Sequence, residues 1–304
     1  MPPSPLFPSS ARPFPLPVVA ASSRSEAAAD DALPTGLSMP TDMAVFSAPQ
    51  LPKQTSRALV TAVQTRLAAL LSRMEATDFM RATDITENLL AWPESERLLA
   101  GDLLGFGEVS AYAVDRRTAD TRIWRVQETA FPGLWRVLSI PESDKKSQPI
   151  VDFLQAGSIP PVLGEVMLAA SAAAHPLPER AEGLMNAPAL MREIHARARA
   201  WKEGDAPCLF NFTLLPVTPA DLEALYGWLG HREVSILSRG YGNCRMSSTR
   251  LSYVWWVQYF NSMDTLILNT LEITVLPEAA LAAREDYEDS RRRLLEHLTT
   301  LKAA

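Results

Sequence analysis

The sequence predicts an α+β fold built from two duplicated units, each a helix followed by three antiparallel strands, with additional helices and a disordered N-terminal arm. Three observations support this prediction. Apolar residues make up 47% of the 304-residue chain, which is ample for a buried core. Helix-like and strand-like patterns follow each other in the same order in both halves. Short motifs of the first half also recur in the second half.

The first 50 residues are expected to form a Pro-rich, largely disordered arm. They contain many of the 24 prolines, and "PPSPLFPSSARPFPLP" has neither the charged start nor the continuous apolar core of a secretory signal. The arm has too little patterned apolar sequence to offset the entropy of ordering it. We therefore expect the folded core to begin near residue 51.

The first α+β unit is predicted over residues 51–160. Apolar residues recur at helical spacing from Leu59 to Met74, which predicts an amphipathic helix, and a second helix is expected from Ser95 to Leu104. Three short β-rich runs follow, "GEVSAYAV", "TRIWRVQET" and "LWRVLSI", with turn residues between them. This order predicts an antiparallel meander.

A helical connection is predicted over residues 161–204, and the second unit with a C-terminal helix over residues 205–304. Pro161 and Pro188 stand where first helical turns would begin, and apolar residues follow each proline at helical period. In the second unit "CLFNFTLL" alternates as a strand does, and Thr218 is placed to cap the next helix. Three further strands and a charged helix complete this unit.

Two short motifs indicate that the two units are diverged copies of one sequence. "LGFGEVSA" at residues 104–111 resembles "LGHREVSI" at residues 229–236, an offset of 125 residues. "WRVQ" ending at Gln127 resembles "WWVQ" ending at Gln258, an offset of 131 residues. Self-similarity at a near-constant offset is typical of internal repeats. The alignment predicts that these two glutamines occupy equivalent positions.

The same alignment predicts an insertion in the second unit. Ser110 and Trp124 are 14 positions apart, whereas Ser235 and Trp255 are 20 positions apart. The six additional residues fall within "RGYGNCRMSST", so we interpret this stretch as an added loop that the fold does not require. Such loops are candidate contact surfaces, and the two glycines permit positive φ or the close approach of a partner.

Composition argues against several classes of partner. The formal net charge is −6 and no basic stripe is present, which disfavours nucleic acid. No segment approaches the run of about 18 apolar residues needed to cross a membrane, so we expect no membrane insertion. The two cysteines lie 36 positions apart without a paired CxxC motif, and a reducing cytoplasm is the expected compartment.

Recognisable catalytic and cofactor motifs are missing from the sequence. The four histidines are not spaced as HxxxH and none lies close to a cysteine, so no metal site is expected. GxSxG, P-loop and dinucleotide-binding patterns are not found, since "GFGEVS" lacks the third glycine and precedes a strand. We therefore expect a protein that is not an enzyme and needs no cofactor.

Cys244 lies between Arg239 and Arg245, and two roles remain open for it. Nearby positive charge favours the thiolate, which is the reactive form of cysteine. A free cysteine more often serves as a small apolar residue, which here would be tucked under a turn. Cys208 is expected on the apolar face of its strand, in the protein core.

Polar residues interrupt the β-rich runs at Gln127, Glu128, Gln258, Asn261 and Asp264. Buried amides must be hydrogen-bonded, so one interpretation is a shared structural network. The alternative is a surface on which exposed aromatic and amide side chains hold another protein.

Six motifs carry a family resemblance between about residues 34 and 290: "ILSRGYGNCRMSST", "VWWVQYFNSMDTLILNTLEI", "GEVSA", "VQETAFPGLWRV", "SIPPVL" and "FNFTLLPVTPADL". They resemble the HupH/HyaF hydrogenase-expression family, which includes HoxQ-type proteins. The resemblance implies an accessory protein of [NiFe]-hydrogenase maturation that acts on the iron–sulfur small-subunit precursor before export. It also implies a thioredoxin-like maturation companion as a second partner.

The leading hypothesis is a cytoplasmic chaperone for that precursor. A rival hypothesis is a cysteine-dependent redox or iron–sulfur-cluster-handling factor that uses Cys244. A third is a scaffold that bridges several maturation proteins and uses the Pro-rich arm as a tether. The candidate partner-binding residues are Arg239, Tyr241, Asn243, Cys244, Arg245, Gln258, Asn261, Asp264, Gln127 and Glu128.

Overall fold

The computed structural model describes residues 43, 46–117, 120–144, 148–169, 183–240 and 242–303. Nearly all of the predicted arm therefore lies outside the described residues. At the end of that arm, Ser47 forms an antiparallel bridge with Phe106 through backbone hydrogen bonds of 3.0 and 2.8 Å. The N–H of Gln50 also donates to the carbonyl of Asp102 at 2.8 Å. Residues 46–50 thus pack against the folded core.

Helices begin where the sequence places their signals. In the described residues the α-helices are α1 (Arg57–Ala76), α2 (Glu94–Leu104), α3 (Val162–Ala169), α4 (Ala187–Ala200), α5 (Pro219–Leu229) and α6 (Arg284–Ala303), and short 3-10 helices cover Phe79–Asp84, Leu89–Ala91 and Glu278–Ala280. Thr218 caps α5 in a reciprocal capping box with Asp221, and Pro188 lies in the first turn of α4.

The strands of the described residues form one antiparallel sheet. They are β1 (Thr86–Asn88), β2 (Val109–Asp115), β3 (Arg122–Glu128), β4 (Leu134–Pro141), β5 (Val151–Ala156), β6 (Cys208–Asn211), β7 (Val234–Ser238), β8 (Asn243–Ser248), β9 (Val254–Phe260) and β10 (Leu266–Ile273). Their order across the sheet is β1-β5-β4-β3-β2-β7-β8-β9-β10-β6. The mixed helices and this large antiparallel sheet agree with the predicted α+β class.

Each half of the sheet contains an edge strand, a helix and a four-stranded meander in the same chain order. In the first half β1 and α2 precede β2 to β5, and β1 returns to pair with β5. In the second half β6 and α5 precede β7 to β10, and β6 pairs with β10. The predicted unit of one helix and three strands is therefore not the observed unit, because each half adds an edge strand and a fourth meander strand.

Backbone contacts at matching places show which residues of the two halves correspond. Helices α2 and α5 end at Gly105 and Gly230, 125 residues apart, with φ values of 59° and 62°. Beyond the β2–β3 hairpin of the first half and the β7–β8 hairpin of the second, the offset between corresponding residues becomes 120. There the N–H groups of Thr129 and Thr249 each donate to the carbonyl five residues later, at 2.8 and 3.0 Å.

Two buried tryptophans confirm the offset of 120 residues. Trp135 in β4 and Trp255 in β9 are fully buried, and each indole Nε1 donates to a backbone carbonyl beyond the following strand, at 2.9 and 3.2 Å. Strand β4 therefore corresponds to β9, and β3 to β8. The predicted equivalence of Gln127 and Gln258 is wrong, because these glutamines lie in β3 and β9.

The predicted insertion in the second half is also wrong. Residues 116–121 connect β2 to β3, whereas only residues 239–242 connect β7 to β8. The second hairpin is thus the shorter one, and most of "RGYGNCRMSST" forms strand β8. The sequence alignment failed because it matched the second strand of one meander with the third strand of the other.

The two faces of the sheet carry separate apolar cores. One face, here called the α3 face, carries Val126, Met246 and Val257 under α3. The opposite face, here called the α5 face, packs α1, α2 and α6 on the first half and α4 and α5 on the second half. Since side chains alternate along a strand, each strand residue belongs to one of these two faces.

Candidate functional site

A cavity of about 250 Å³ lies on the α3 face where the two halves meet. Its walls come from the start of β2, the end of β3, the turn between β7 and β8, strand β9, and the segment that leads into α6. The polar residues that line it are Glu108, Glu128, Ser238, Cys244, Tyr259 and Asp286. Both halves contribute to this cavity, so the sheet has to be assembled before the cavity exists.

Two carboxylates stand side by side in the cavity wall. Glu128 ends β3 and is 4% exposed, and burial raises its pKa to about 7, with the charge of Glu108 adding to the rise. The backbone N–H of Gly133 donates to Glu128 Oε1 at 3.4 Å and opposes part of this effect. Burial, together with the nearby Asp286, also raises the pKa of Glu108. The cavity therefore presents one buried carboxyl group, Glu128, and one more exposed carboxyl group, Glu108.

Cys244 and Tyr259 also line the cavity. They are paired neighbours in β8 and β9, and their side chains share a hydrogen bond. Cys244 is 5% exposed, and burial raises the pKa of its thiol to about 12. Burial also raises the pKa of the Tyr259 hydroxyl above its ordinary value. Both groups are therefore neutral at physiological pH and act as hydrogen-bonding groups.

The turn between β7 and β8 is shaped by glycines. A Cβ atom at Gly240 would stand 2.3 Å from Glu108 Oε2, so the missing side chain makes room for that carboxylate. Gly242 has a φ of 103°, a conformation that favours glycine. The N–H of Arg239 donates to the carbonyl of Glu108 at 3.1 Å, which ties the turn to the start of β2. Tyr241 lies outside the described residues.

A second set of the predicted residues lies on the α5 face. The Arg245 guanidinium donates to both carboxylate oxygens of Asp264, at 2.9 and 3.0 Å, and its Cζ lies 4.2 Å from the centre of the Phe260 ring. In the same hairpin, Asn261 Oδ1 accepts from two backbone N–H groups at 2.9 Å. Asn243 begins β8 and pairs with Phe260. These contacts hold the turn between β9 and β10 in place and join it to the start of β8.

The two glutamines serve hydrogen-bond networks, as one of the sequence interpretations proposed. Gln258 is fully buried and its Nε2 donates to the Tyr226 hydroxyl at 2.5 Å and to Asn269 Oδ1 at 3.3 Å. Gln127 Nε2 lies 2.9 Å from the carbonyl of Glu128 and 3.2 Å from that of Val109. Both glutamines point to the α5 face and away from the cavity.

The structure therefore divides the predicted residues between two places. It brings Glu128 and Cys244 together at the cavity and leaves the remaining described candidates at the turn or on the α5 face. Sequence reasoning selected neither Glu108 nor Asp286, whereas Tyr259 belongs to the motif "VWWVQYFNSMDTLILNTLEI" that carries the family resemblance. A signal for Glu108 was present, because it belongs to the "EVS" motif that recurs in the second half.

The described residues contain no group of three or more His, Cys, Asp or Glu side chains arranged to hold a metal ion. Within the same part of the chain, no helix is long and apolar enough to span a bilayer. Cys208 and Cys244 are both free thiols.

Comparison with known proteins places this chain among proteins named for hydrogenase expression. Residues 184–301 match the family described as "HupH hydrogenase expression protein, C-terminal conserved region". The chain is 40% identical over 287 residues to "Hydrogenase expression/formation protein HoxQ" of Cupriavidus necator, an alignment that covers 94% of this chain and 97% of that protein.

Other relatives match over much of their length. Identity is 36% to "Hydrogenase expression/formation protein HupH" of Rhodobacter capsulatus, covering 88% of this chain and 90% of that protein. It is 35% to "Hydrogenase-1 operon protein HyaF" of Escherichia coli, covering 69% and 70%. The solved structure of "Hydrogenase expression protein HupH from Thiobacillus denitrificans" is 29% identical, with a TM-score of 0.36, and covers 38% of this chain and 96% of that chain.

Proposed function

Because the chain belongs to the HupH/HyaF family of hydrogenase expression and formation proteins, we propose that it is an accessory chaperone of [NiFe]-hydrogenase maturation. Its partner in this proposal is the iron–sulfur small-subunit precursor, bound in the cytoplasm before export. A thioredoxin-like maturation companion is the proposed second partner. The protein acts by binding and not by catalysis.

The observation that supports binding is the polar cavity where the two halves of the sheet meet. Concave sites lined by apolar walls and a few convergent polar groups are the usual places where proteins hold ligands. Here Val109, Leu281 and Ala282 supply apolar wall, while Glu128 supplies a buried carboxyl group and Glu108 a more exposed one. A partner segment that enters the cavity would meet both kinds of surface.

The rival function, thiol chemistry at Cys244, has less support. A reactive cysteine needs a lowered pKa and access to its partner. Burial instead raises the pKa of Cys244 to about 12, and the Arg245 guanidinium is engaged with Asp264 on the opposite face. We therefore assign Cys244 to the cavity wall and keep the thiol chemistry as an outcome of the test.

Co-purification tests the proposed function. Tagged protein is isolated from cells that express the hydrogenase, and the co-purifying chains are identified by mass spectrometry. The proposal expects the small-subunit precursor, still carrying its export signal, together with the thioredoxin-like companion. Recovery of neither chain from cells that actively mature the hydrogenase would contradict the proposal.

Cys244→Ser separates the two functions. Serine keeps the size and hydrogen-bonding capacity of the side chain and removes thiol chemistry. Under the chaperone proposal, the variant retains precursor binding and most hydrogenase activity. If binding and folding persist while maturation is abolished, the cysteine-dependent function replaces the chaperone function. Cys208→Ser is the matched control, because that thiol lies outside the cavity.

A further inference from the structure

We infer that the cavity receives an arginine side chain of the partner, held between Glu108 and Glu128. The identity of the partner rests on the proposed function, whereas the arginine site itself does not. The inference comes from the corresponding position in the first half of the sheet, which the protein fills with its own side chains.

In the first half the corresponding space holds an indole and a guanidinium. Trp124 in β3 corresponds to Cys244 in β8 at the offset of 120 residues, and its Nε1 donates to Asp115 Oδ2 at 3.2 Å. The Arg117 guanidinium donates to both oxygens of the same carboxylate, at 2.9 and 2.8 Å, and also reaches Glu165 at 3.4 Å. In the first half, therefore, the N–H groups of an indole and a guanidinium occupy the acceptor oxygens of the buried Asp115 carboxylate.

At the corresponding place beside the second half, the described residues that line the cavity include a carboxylate, from Glu108 before β2, but no indole or guanidinium. Asp115 corresponds to Gly240 at the offset of 125 residues. Glu108 Oε2 lies 2.3 Å from the position that a Cβ atom of residue 240 would take, so its carboxylate lies next to the position that corresponds to Asp115. Cys244 stands where the first half has an indole, and the shorter β7–β8 turn omits the residues that include Arg117. The cavity lies beside both of these positions, Gly240 and Cys244.

Charge and shape both favour arginine as the occupant. Two carboxyl groups, Glu108 and Glu128, face one cavity, and the charge of Glu108 adds to the rise in the pKa of Glu128. A guanidinium carries one positive charge, which offsets one of the two carboxylates, and it offers five N–H donors in a planar fork, whereas the indole of tryptophan offers one donor without charge. The apolar wall at Val109 and Leu281 suits the methylene stem of arginine.

Binding of a small probe tests the site without the partner. The probe is Nα-acetyl-arginine amide, titrated into the full chain while the backbone amide resonances of Gly240 and Gly242 are followed by NMR. The inference expects saturable shifts at both glycines with a millimolar dissociation constant. The neutral isostere Nα-acetyl-citrulline amide should bind at least about tenfold more weakly, because it cannot form charge-assisted hydrogen bonds. Equal binding of the two probes, or shifts at other residues only, would overturn the inference.

Variants assign the effect to the cavity. Glu128→Gln should weaken arginine-probe binding at least about tenfold, while Glu193→Gln on the exposed face of α4 should leave it unchanged. Cys244→Trp restores the residue of the first half and should exclude the probe. If that larger variant fails to fold, Glu128→Gln and Glu108→Gln decide the question. Unchanged probe binding in both glutamine variants contradicts the site.

The same variants distinguish the site from the proposed function. If the probe binds as expected and no precursor co-purifies, the arginine site stands and the proposed partner is wrong. If Glu128→Gln loses the probe but still retains the precursor fully, the partner docks elsewhere, and the assignment of the cavity to that partner is overturned.

Discussion

The carboxylate of Glu108 lies against the backbone of Gly240, and both residues line the cavity. A Cβ atom at residue 240 would stand 2.3 Å from Glu108 Oε2. Because a Glu side chain can swing away, we expect Gly240→Ala to fold with a stability loss below about 1 kcal/mol. The displaced carboxylate should nevertheless weaken binding of the precursor. Urea unfolding and co-purification measure the two effects separately.

Gly242→Ala provides the contrast. Its φ is 103°, and a Cβ atom there would stand 2.7 Å from the Phe260 carbonyl oxygen, which is backbone and cannot move aside. We expect a loss of about 1–3 kcal/mol in the free energy of unfolding. A Gly240→Ala variant that is as unstable as Gly242→Ala would contradict the structural account of this turn.

Glu128 should make the stability of the protein depend on pH. Its pKa is raised from 4.5 to about 7, so the folded state binds the proton more tightly than the unfolded state does. The contribution of this carboxyl to stability is therefore largest at low pH and is lost as the pH rises toward 7. Glu128→Gln removes the titration. Its stability relative to the wild type should rise between about pH 5 and about pH 8, by on the order of 3 kcal/mol.

Comparison of the wild type with Glu128→Gln at each pH follows the effect of the Glu128 titration on stability. His231 and His297 have pKa values lowered by burial, but they are common to both proteins and their titration cancels in the difference. Any loss from the replaced hydrogen bonds is the same at every pH, so it shifts the difference by a constant and leaves its pH dependence unchanged. A stability difference that stays constant from pH 5 to pH 8 would show that the Glu128 carboxyl is not desolvated.

The two thiols should react at different rates with a thiol reagent such as 5,5′-dithiobis(2-nitrobenzoate). Cys244 is 5% exposed with a pKa of about 12, whereas Cys208 is partly exposed at the sheet edge. In the native protein at neutral pH we expect rapid modification at Cys208 only, and modification of both thiols after denaturation. Mass spectrometry of the labelled peptides identifies the site. Rapid labelling of Cys244 would revive the thiol-chemistry hypothesis.

The buried tryptophans test whether the two halves are built alike. Trp135 Nε1 donates to the Gly157 carbonyl and Trp255 Nε1 to the Val275 carbonyl. Replacement by phenylalanine leaves a buried carbonyl without its donor, so each variant should lose about 1–3 kcal/mol of unfolding free energy. Similar losses in the two variants are expected. A loss at one tryptophan and none at the other would show that the correspondence has no energetic meaning.

Local signals in the sequence predicted the helices well. The N-cap at Thr218 and the prolines at helix starts act within one turn, so their effect does not depend on distant contacts. The correspondence between strands of the two halves was harder to predict, because the first half contains the triplet "WRV" twice, at Trp124 and at Trp135. The following glutamine favoured the first triplet, whereas burial and hydrogen bonding show that the second corresponds to β9.

The cavity could not be read from the sequence. Glu108, Glu128 and Cys244 lie in different strands or turns and meet only when β2 pairs with β7. Their altered pKa values come from burial, which depends on how the two halves pack. The positive charge around Cys244 in the sequence was misleading, because neighbouring residues of a strand point to opposite faces.

Site-specific photo-crosslinking tests the central claim, that the precursor docks at this cavity, most directly. A photoreactive phenylalanine analogue replaces Leu281 at the cavity rim, and the matched control replaces Leu295 on the exposed side of α6; these residues are 37% and 51% exposed. The account predicts that, in cells maturing the hydrogenase, residue 281 crosslinks to the small-subunit precursor and residue 295 does not. Crosslinking from residue 295 alone, with the precursor still co-purifying, would contradict it.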